Sequence, residues 1–168
     1  MNKGKEEYLA SARQLEVDGR SFYMKIADAT KNPLTKRMFQ SLADDELKHI
    51  EWIDKQSAKG ITSEKANAEL SKRLKTIFAD VPEKVIKEIE ATDDDIKAID
   101  IALDMESKSR DAYAEWAGKS DTKEVQNLFK ALTGIEQYHY DLLQNTKNYF
   151  EKTSDWFMME EGWMFDGG

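Results

Sequence analysis

The amino-acid sequence predicts an all-α protein, a bundle of four helices. Proline and glycine, the residues that most often interrupt helices, are scarce: the 168 residues include 2 prolines and 8 glycines. Apolar residues recur at helical intervals in four separate segments. Two connections between these segments are short and the middle one is long. This pattern predicts two helical hairpins joined by a crossover.

The first hairpin is predicted in the N-terminal third of the chain. Its first helix covers about residues 5–30, and the Asn32-Pro33 pair favours a break after it. Its second helix covers about residues 34–59, with Gly60 as a C-terminal stop.

The third helix is predicted to begin near Thr92, where the sequence TDDD offers an N-cap and acids in the first turn. Gly118 is predicted to end it. The connection before it, residues 61–91, has helix-like patterning around Leu70, Leu74 and Phe78.

The fourth helix is predicted to start near residues 120–121. After it comes an aromatic, Met-rich and acidic tail, DWFMMEEGWMFDGG. We therefore predict one bundle domain in residues 1–150, with its crossover at 60–92, and a separate tail in residues 151–168. The simplest role for the tail is to pack on an apolar patch.

Composition narrows the function classes. The net charge of -8 disfavours binding to nucleic acid or to an anionic membrane. The absence of cysteine excludes disulfides, thiolate zinc sites and iron–sulfur clusters. The N-terminal sequence MNKGKEEYLASARQ lacks the apolar stretch of a secretion signal, and no apolar run approaches the ~18 residues of a membrane span. We therefore expect a cytoplasmic protein.

The two predicted hairpins form an internal repeat. A shift of 90 residues superimposes identical residues in register. The matching pairs are Glu16 and Glu106, Arg20 and Arg110, Tyr23 and Tyr113, Phe39 and Phe129, Leu42 and Leu132, Glu46 and Glu136, and His49 and His139.

The register of the repeat sets glutamates level with one another. Glu16 and Glu46 are 30 residues apart, and their midpoint falls in the predicted turn at Lys31. Each glutamate is then roughly 22 Å from the turn along its own helix. The second hairpin repeats this spacing about Asp121. Both histidines of the chain follow a glutamate by three residues, so they lie on the same helix faces.

These carboxylates and imidazoles fall on apolar stripes, where a buried, unpaired carboxylate costs several kcal/mol. Two divalent cations would offset both that cost and the repulsion between the glutamates. With no cysteine, oxygen and nitrogen ligands favour iron or manganese. The alternative is a buried polar network that binds no metal. The predicted metal ligands are Glu16, Glu46, His49, Glu106, Glu136 and His139.

Over about residues 5–150, the four helices and the two Glu-x-x-His motifs resemble the rubrerythrin branch of the ferritin-like superfamily. The resemblance implies a ferritin-like bundle with two iron ions per chain and a homodimer. It implies oxidation of Fe(II) with reduction of hydrogen peroxide or O₂, in oxidative stress or iron handling. One ion would be held by Glu16, Glu46 and His49, and the other by Glu106, Glu136 and His139, with Glu46 and Glu136 bridging.

Two departures from the family pattern qualify this expectation, and a comparison with a related family disfavours haem. Without cysteine there is no rubredoxin-type domain, so electrons would come from a separate donor protein. Ser109 stands where rubrerythrins tend to carry an extra glutamate. Leu47 stands where bacterioferritin-like relatives place a haem-binding methionine, so we expect no haem.

Several neighbouring residues have two interpretations. Tyr23 and Tyr113 could hydrogen-bond the ligand carboxylates or act as redox-active phenols, or they could be ordinary core tyrosines. The remaining residues have simpler roles. Arg20 and Arg110 could be charges that support the ligand glutamates, but an ordinary i,i+4 pair or a solvated face is favoured. Asp45 and Glu51 are predicted to lie at the surface, and Trp52 and Trp116 in the core or at an interface.

Two other functions fit the same sequence. One is a non-catalytic protein that binds, carries, senses or stores iron or manganese. The other is a helical interaction module in which the metal site is vestigial and the tail binds a partner.

Overall fold

Four α-helices make up the structure, a computed structural model that describes residues 5–55 and 93–165. The part described contains no strand, which confirms the all-α prediction. The predicted crossover and the predicted stop at Gly60 lie outside the described residues. The helices are α1 (Lys5–Ala29), α2 (Pro33–Asp54), α3 (Asp93–Lys119) and α4 (Lys123–Phe165).

The start of α2 follows from its first residues. The side chain of Asn32 accepts hydrogen bonds from the backbone N–H groups of Leu34 and Thr35, at 3.0 Å and 3.1 Å. This N-cap satisfies two donors that a helix otherwise leaves without partners. Pro33 occupies the first turn, where its missing N–H costs nothing.

Two predicted helix ends differ from the structure. The second helix was expected to reach residue 59, but α2 ends at Asp54 and Lys55 is a turn residue. The third helix was expected to end at Gly118, but α3 includes this glycine and ends at Lys119. The N–H of Ser120 still bonds to the carbonyl of Trp116, at 3.0 Å, because a single glycine does not remove any backbone donor.

Contacts between helices show which helices pack together and in which directions they run. Within the hairpins α1 packs on α2 and α3 on α4, and between hairpins α1 meets α3 and α2 meets α4. Tyr23 contacts Glu106 whereas Glu16 contacts Tyr113, so α1 and α3 are antiparallel. Since α2 is antiparallel to α1, α2 and α3 point the same way. The end of α2 and the start of α3 therefore lie at opposite ends of the bundle, as in a ferritin-like topology.

Two apolar clusters fill the bundle, and the 90-residue repeat relates them. Many members of one cluster have their repeat partner in the other, including Tyr23 with Tyr113, Phe39 with Phe129 and Leu42 with Leu132. The buried glutamates and histidines belong to neither cluster. The apolar clusters therefore anchor the helices that carry this polar group.

The last helix continues beyond the predicted domain boundary. α4 runs without interruption to Phe165, so its backbone continues into the segment predicted as a tail. The division of the chain at residue 150 stays a prediction. Among the described residues, no helix combines the length and the apolar character that crossing a bilayer requires.

Candidate metal centre

The six predicted ligands meet in the interior of the bundle. Each helix contributes: α1 and α3 one glutamate each, and α2 and α4 a glutamate and the histidine one turn later. The exposed fraction of these side chains ranges from 0% for His139 to 4% for Glu46. Spacing along the helices therefore brings the residues together as the sequence predicts.

The six side chains form two overlapping groups of possible ligands. Within each group, one ligand atom per residue lies within 4.8 Å of the others. Glu46 and Glu136 belong to both groups, which is the position that bridging carboxylates require. The first group is completed by Glu16 and His49, and the second by Glu106 and His139.

In the first group, the Nδ1 atom of His49 faces three carboxylates. It lies 3.0 Å from Oε2 of Glu16, 3.4 Å from Oε2 of Glu46 and 3.8 Å from Oε1 of Glu136. The contact with Glu16 is a hydrogen bond.

In the second group, Nδ1 of His139 has an equivalent environment. It lies 3.3 Å from Oε2 of Glu136, 3.4 Å from Oε1 of Glu106 and 3.6 Å from Oε1 of Glu46. The two imidazole rings stack with their centroids 5.6 Å apart. Neither ring nitrogen of His139 has a hydrogen-bond partner within the described part of the chain.

These donors fit two small divalent cations. Atoms that bind one ion at about 2.0–2.2 Å lie roughly 3–3.5 Å from one another, and the histidine-to-carboxylate distances are 3.0–3.8 Å. Four carboxylates would balance the charge of two such ions. The buried Nδ1 atom of His139, which has no hydrogen-bond partner among the described side chains, would gain one in the metal. The residues therefore fit a di-metal centre.

Without metal, protons balance part of the charge. Burial alone would lower the pKa of His139, but Glu106 and Glu136 raise it to about 10. Burial and the charge of Glu106 raise the pKa of Glu136 well above its ordinary value. Burial also favours a raised pKa for Glu106. The positive charge of His139 and hydrogen bonds such as that from Tyr23 outweigh burial, and they lower the pKa of Glu106 to about 2. In the metal-free cluster, His139 and Glu136 therefore hold protons that a metal ion would have to displace.

Two tyrosines connect the repeats across the centre. The hydroxyl of Tyr23 donates to Oε1 of Glu106, and that of Tyr113 donates to Oε1 of Glu16. Both tyrosines are no more than 1% exposed. Burial, followed by the negative charge of the glutamates, raises the pKa of both phenols well above the ordinary value, so they remain donors. The hydrogen bonds to the predicted ligand carboxylates are therefore observed, and both tyrosines also lie in the core.

Comparison with known families agrees with this geometry. A protein-family model described as Rubrerythrin matches residues 7–147, most of the chain. The chain belongs to the rubrerythrin family. Searches of curated proteins and of solved structures gave no match. The matched range contains all six predicted ligands of this rubrerythrin-family protein.

The prediction that Asp45 lies at the surface is wrong. Asp45 is 6% exposed, and its Oδ2 atom lies 3.5 Å from Nε2 of His139, the ring nitrogen that points away from the glutamates. The helical pattern contained a signal, because Asp45 follows the buried Leu42 by three residues and precedes His49 by four. Its repeat partner Ile135, an apolar residue, also indicated an inward position.

The other neighbours of the centre lie nearer the surface. Glu51 is exposed, as predicted. Arg110 donates to Gln137 at 2.8 Å and lies over the Tyr140 ring at 5.8 Å, so it contacts the bundle surface. Trp116 is half-buried against Tyr113 and Phe129.

A cleft between α1 and α3 reaches the glutamates from outside. Its volume is about 230 Å³, and its lining extends from Asp18 and Lys108 at the surface to all four cluster glutamates. The repeat-related positions Gly19 and Ser109 line its sides. A small side chain at each position leaves room for a small molecule to approach the centre.

Proposed function

We propose that this rubrerythrin-family protein is a di-iron oxidoreductase that oxidises Fe(II) and reduces hydrogen peroxide or O₂. The observation that carries the proposal is the pair of buried ligand groups sharing Glu46 and Glu136. Manganese is the other ion that this ligand set suits.

The residues of the chain have separate tasks in this reaction. When bound, two ferrous ions supply the two electrons that, with two protons, convert one hydrogen peroxide molecule into two water molecules. The four glutamates neutralise the ions, and the tyrosine hydroxyls hold Glu16 and Glu106 in place. The surrounding apolar clusters lower the local dielectric constant and so strengthen these interactions.

The cleft supports a small oxidant as the second substrate. It reaches the centre from the side of Gly19 and Ser109, whereas His49 and His139 are absent from its lining. Peroxide and O₂ are both much smaller than its volume of about 230 Å³.

Repeated turnover requires an outside source of electrons. The chain contains no cysteine to carry a rubredoxin-type iron centre. We therefore propose that a separate electron-donor protein reduces the oxidised ions. We also propose a homodimer, as the family resemblance suggests, and a cytoplasmic location.

Single-turnover kinetics test this function. Protein loaded anaerobically with Fe²⁺ is mixed with one equivalent of peroxide or with O₂-saturated buffer, and iron oxidation is followed by absorbance. We expect oxidation faster than that of the same Fe²⁺ free in buffer, with one peroxide consumed per two irons. Rates equal to free iron with both oxidants would contradict an oxidoreductase.

A non-catalytic protein that binds or stores iron or manganese is the second candidate. Ser109 favours it, because the chain lacks the additional glutamate that rubrerythrins tend to place at this position. Two tightly bound ions that react no faster than free iron would support this candidate.

A further inference from the structure

The repeat is broken at one buried position beside the histidines. The glutamates, histidines and tyrosines of the centre all have identical repeat partners, but Asp45 corresponds to Ile135. Both residues are buried, at 6% and 3% exposure. One half of the centre therefore has a carboxylate where the other half has a hydrocarbon.

The two histidines consequently have different surroundings behind the centre. Nε2 of His139 lies 3.5 Å from Oδ2 of Asp45. The ion-pair partners of His49 among the described residues are Glu16, Glu46 and Glu136, all reached through Nδ1, and its ring packs on Trp52 at 5.4 Å between centroids. Among the described ion pairs, a carboxylate faces the nitrogen opposite the predicted metal in His139 and not in His49.

We propose that Asp45 is a positioning residue for His139, and that it gives the Glu106–His139 half of the centre a higher metal affinity than the Glu16–His49 half. A carboxylate behind a metal-binding imidazole fixes the tautomer and the ring orientation, and makes the other nitrogen a better donor. With the proton on Nε2 facing Asp45, Nδ1 of His139 is left free to bind a cation. The two ions would then be inequivalent despite the symmetric set of six ligands.

This inference rests on the proposed metal centre, so its test uses metal binding and no turnover. Glu16 belongs to only one ligand group and Glu106 only to the other. Glu16→Gln therefore weakens only the His49 half, and Glu106→Gln only the His139 half. Each variant provides a background in which a single half is studied.

The experiment is an anaerobic titration of metal-free protein with Co²⁺, followed by the visible absorbance of the bound ion. Wild-type protein should bind two equivalents in two resolved steps. In the Glu16→Gln background, Asp45→Asn should weaken the remaining tight site by about 10–100-fold. In the Glu106→Gln background, the same substitution should change the affinity of the remaining site by less than about twofold. Substitutions at independent sites usually add to within this margin.

Asp44→Asn is the matched control, because Asp44 is the exposed neighbour of Asp45 on the same helix. It should change affinity in neither background. Equal weakening by Asp45→Asn in both backgrounds would identify a merely structural role and overturn the inference, as would no weakening in either. Wild-type protein that binds no Co²⁺ would instead contradict the proposed metal centre itself.

Discussion

Tyr23 and Tyr113 form hydrogen bonds between the two hairpins at the centre. Each donates its hydroxyl hydrogen bond to a glutamate of the other hairpin, so neither hairpin completes its half of the centre alone. A hydrogen bond to a buried carboxylate contributes more than one between neutral groups, because the charged acceptor has lost its water.

Replacement of either tyrosine by phenylalanine tests this connection. We expect Tyr23→Phe and Tyr113→Phe each to lower the free energy of unfolding by about 1.5–3 kcal/mol, the usual contribution of a hydrogen bond to a charged group. The measurement is urea denaturation of the metal-free protein. Tyr138→Phe, at a partly exposed position on α4, is the control and should change stability little. Variants as stable as wild type would show that the hydroxyls contribute nothing.

The clustering of the six predicted ligands could be predicted from the sequence, whereas the inward position of Asp45 was not. Glutamate and histidine on apolar stripes are conspicuous, and the 90-residue repeat fixes their heights without knowledge of packing. Asp45 differs because it lies next to Glu46 in a run of acids, where helical spacing alone does not separate inward from outward carboxylates. Its role depends on the approach of α4, which only the structure gives.

α1 and α3 leave a path to the centre because of the small residues on their facing sides. A Cβ atom at Gly19 would lie 3.7 Å from Cδ of Glu46, which is ordinary contact, so the position tolerates alanine. A larger side chain would extend into the cleft. Because the cleft leads from the surface to the four glutamates, its width should control access by the oxidant.

Gly19→Leu should therefore slow oxidation of bound Fe²⁺ by on the order of tenfold, or about 1.4 kcal/mol of barrier, by filling the cleft. The measurement is the single-turnover rate with peroxide, after elemental analysis has confirmed that both irons are present. Gly118→Leu is the matched control, because a Cβ atom there meets nothing within 4 Å. An unchanged rate in fully loaded Gly19→Leu protein would exclude this cleft as the entry route.

The helix limits were predictable to within one residue where a specific interaction sets them. The Asn32-Pro33 pair ends one helix and begins the next, and the structure shows the cap that it forms. The ends at Asp54 and Lys119 were less predictable, since α2 stops before the predicted residue 59 and α3 continues through Gly118. Glycine permits a helix end but does not force one.

The stability of the whole metal-free protein depends on pH through the buried groups of the centre. His139 and Glu136 both have raised pKa values in the folded protein, so the folded state binds protons more tightly than the unfolded chain. The contribution of His139 to stability is fully present below its ordinary pKa of 6.5 and is lost as the pH rises through about 10. Glu136 acts in the same direction. Glu106 acts oppositely, but only as the pH falls from 4.5 towards about 2.

The metal-free protein should therefore become less stable as the pH rises from 6 to 9. Urea denaturation with a chelator present measures this change. Loading with Fe²⁺ under anaerobic conditions should reverse the trend, because metal ions replace the protons and bind better as the ligands lose them. A metal-free protein that gains stability between these pH values would contradict the assigned protonation of the cluster.

The arrangement of the bundle could be predicted because two properties of the chain coincide. Helical periodicity gives the four helices, and the in-register repeat requires both hairpins to place their glutamates at the same height. The continuation of α4 to Phe165 was not predicted, because the change in composition near residue 151 suggested a boundary. Residues 151–165 contain no proline, and each residue added to an existing helix forms one more backbone hydrogen bond, so a change in composition alone does not mark a helix end.

The most direct test of this account is the iron content of the protein after anaerobic loading and desalting. Wild-type protein should retain two irons per chain, and the Glu46→Ala/Glu136→Ala double variant, which lacks both shared carboxylates, should retain none. The Glu51→Ala/Glu124→Ala double variant removes exposed glutamates from the same two helices and should retain two. Two irons retained by the Glu46→Ala/Glu136→Ala variant would contradict a metal centre at these residues. So would wild-type protein that retains neither iron nor, in a parallel loading, manganese.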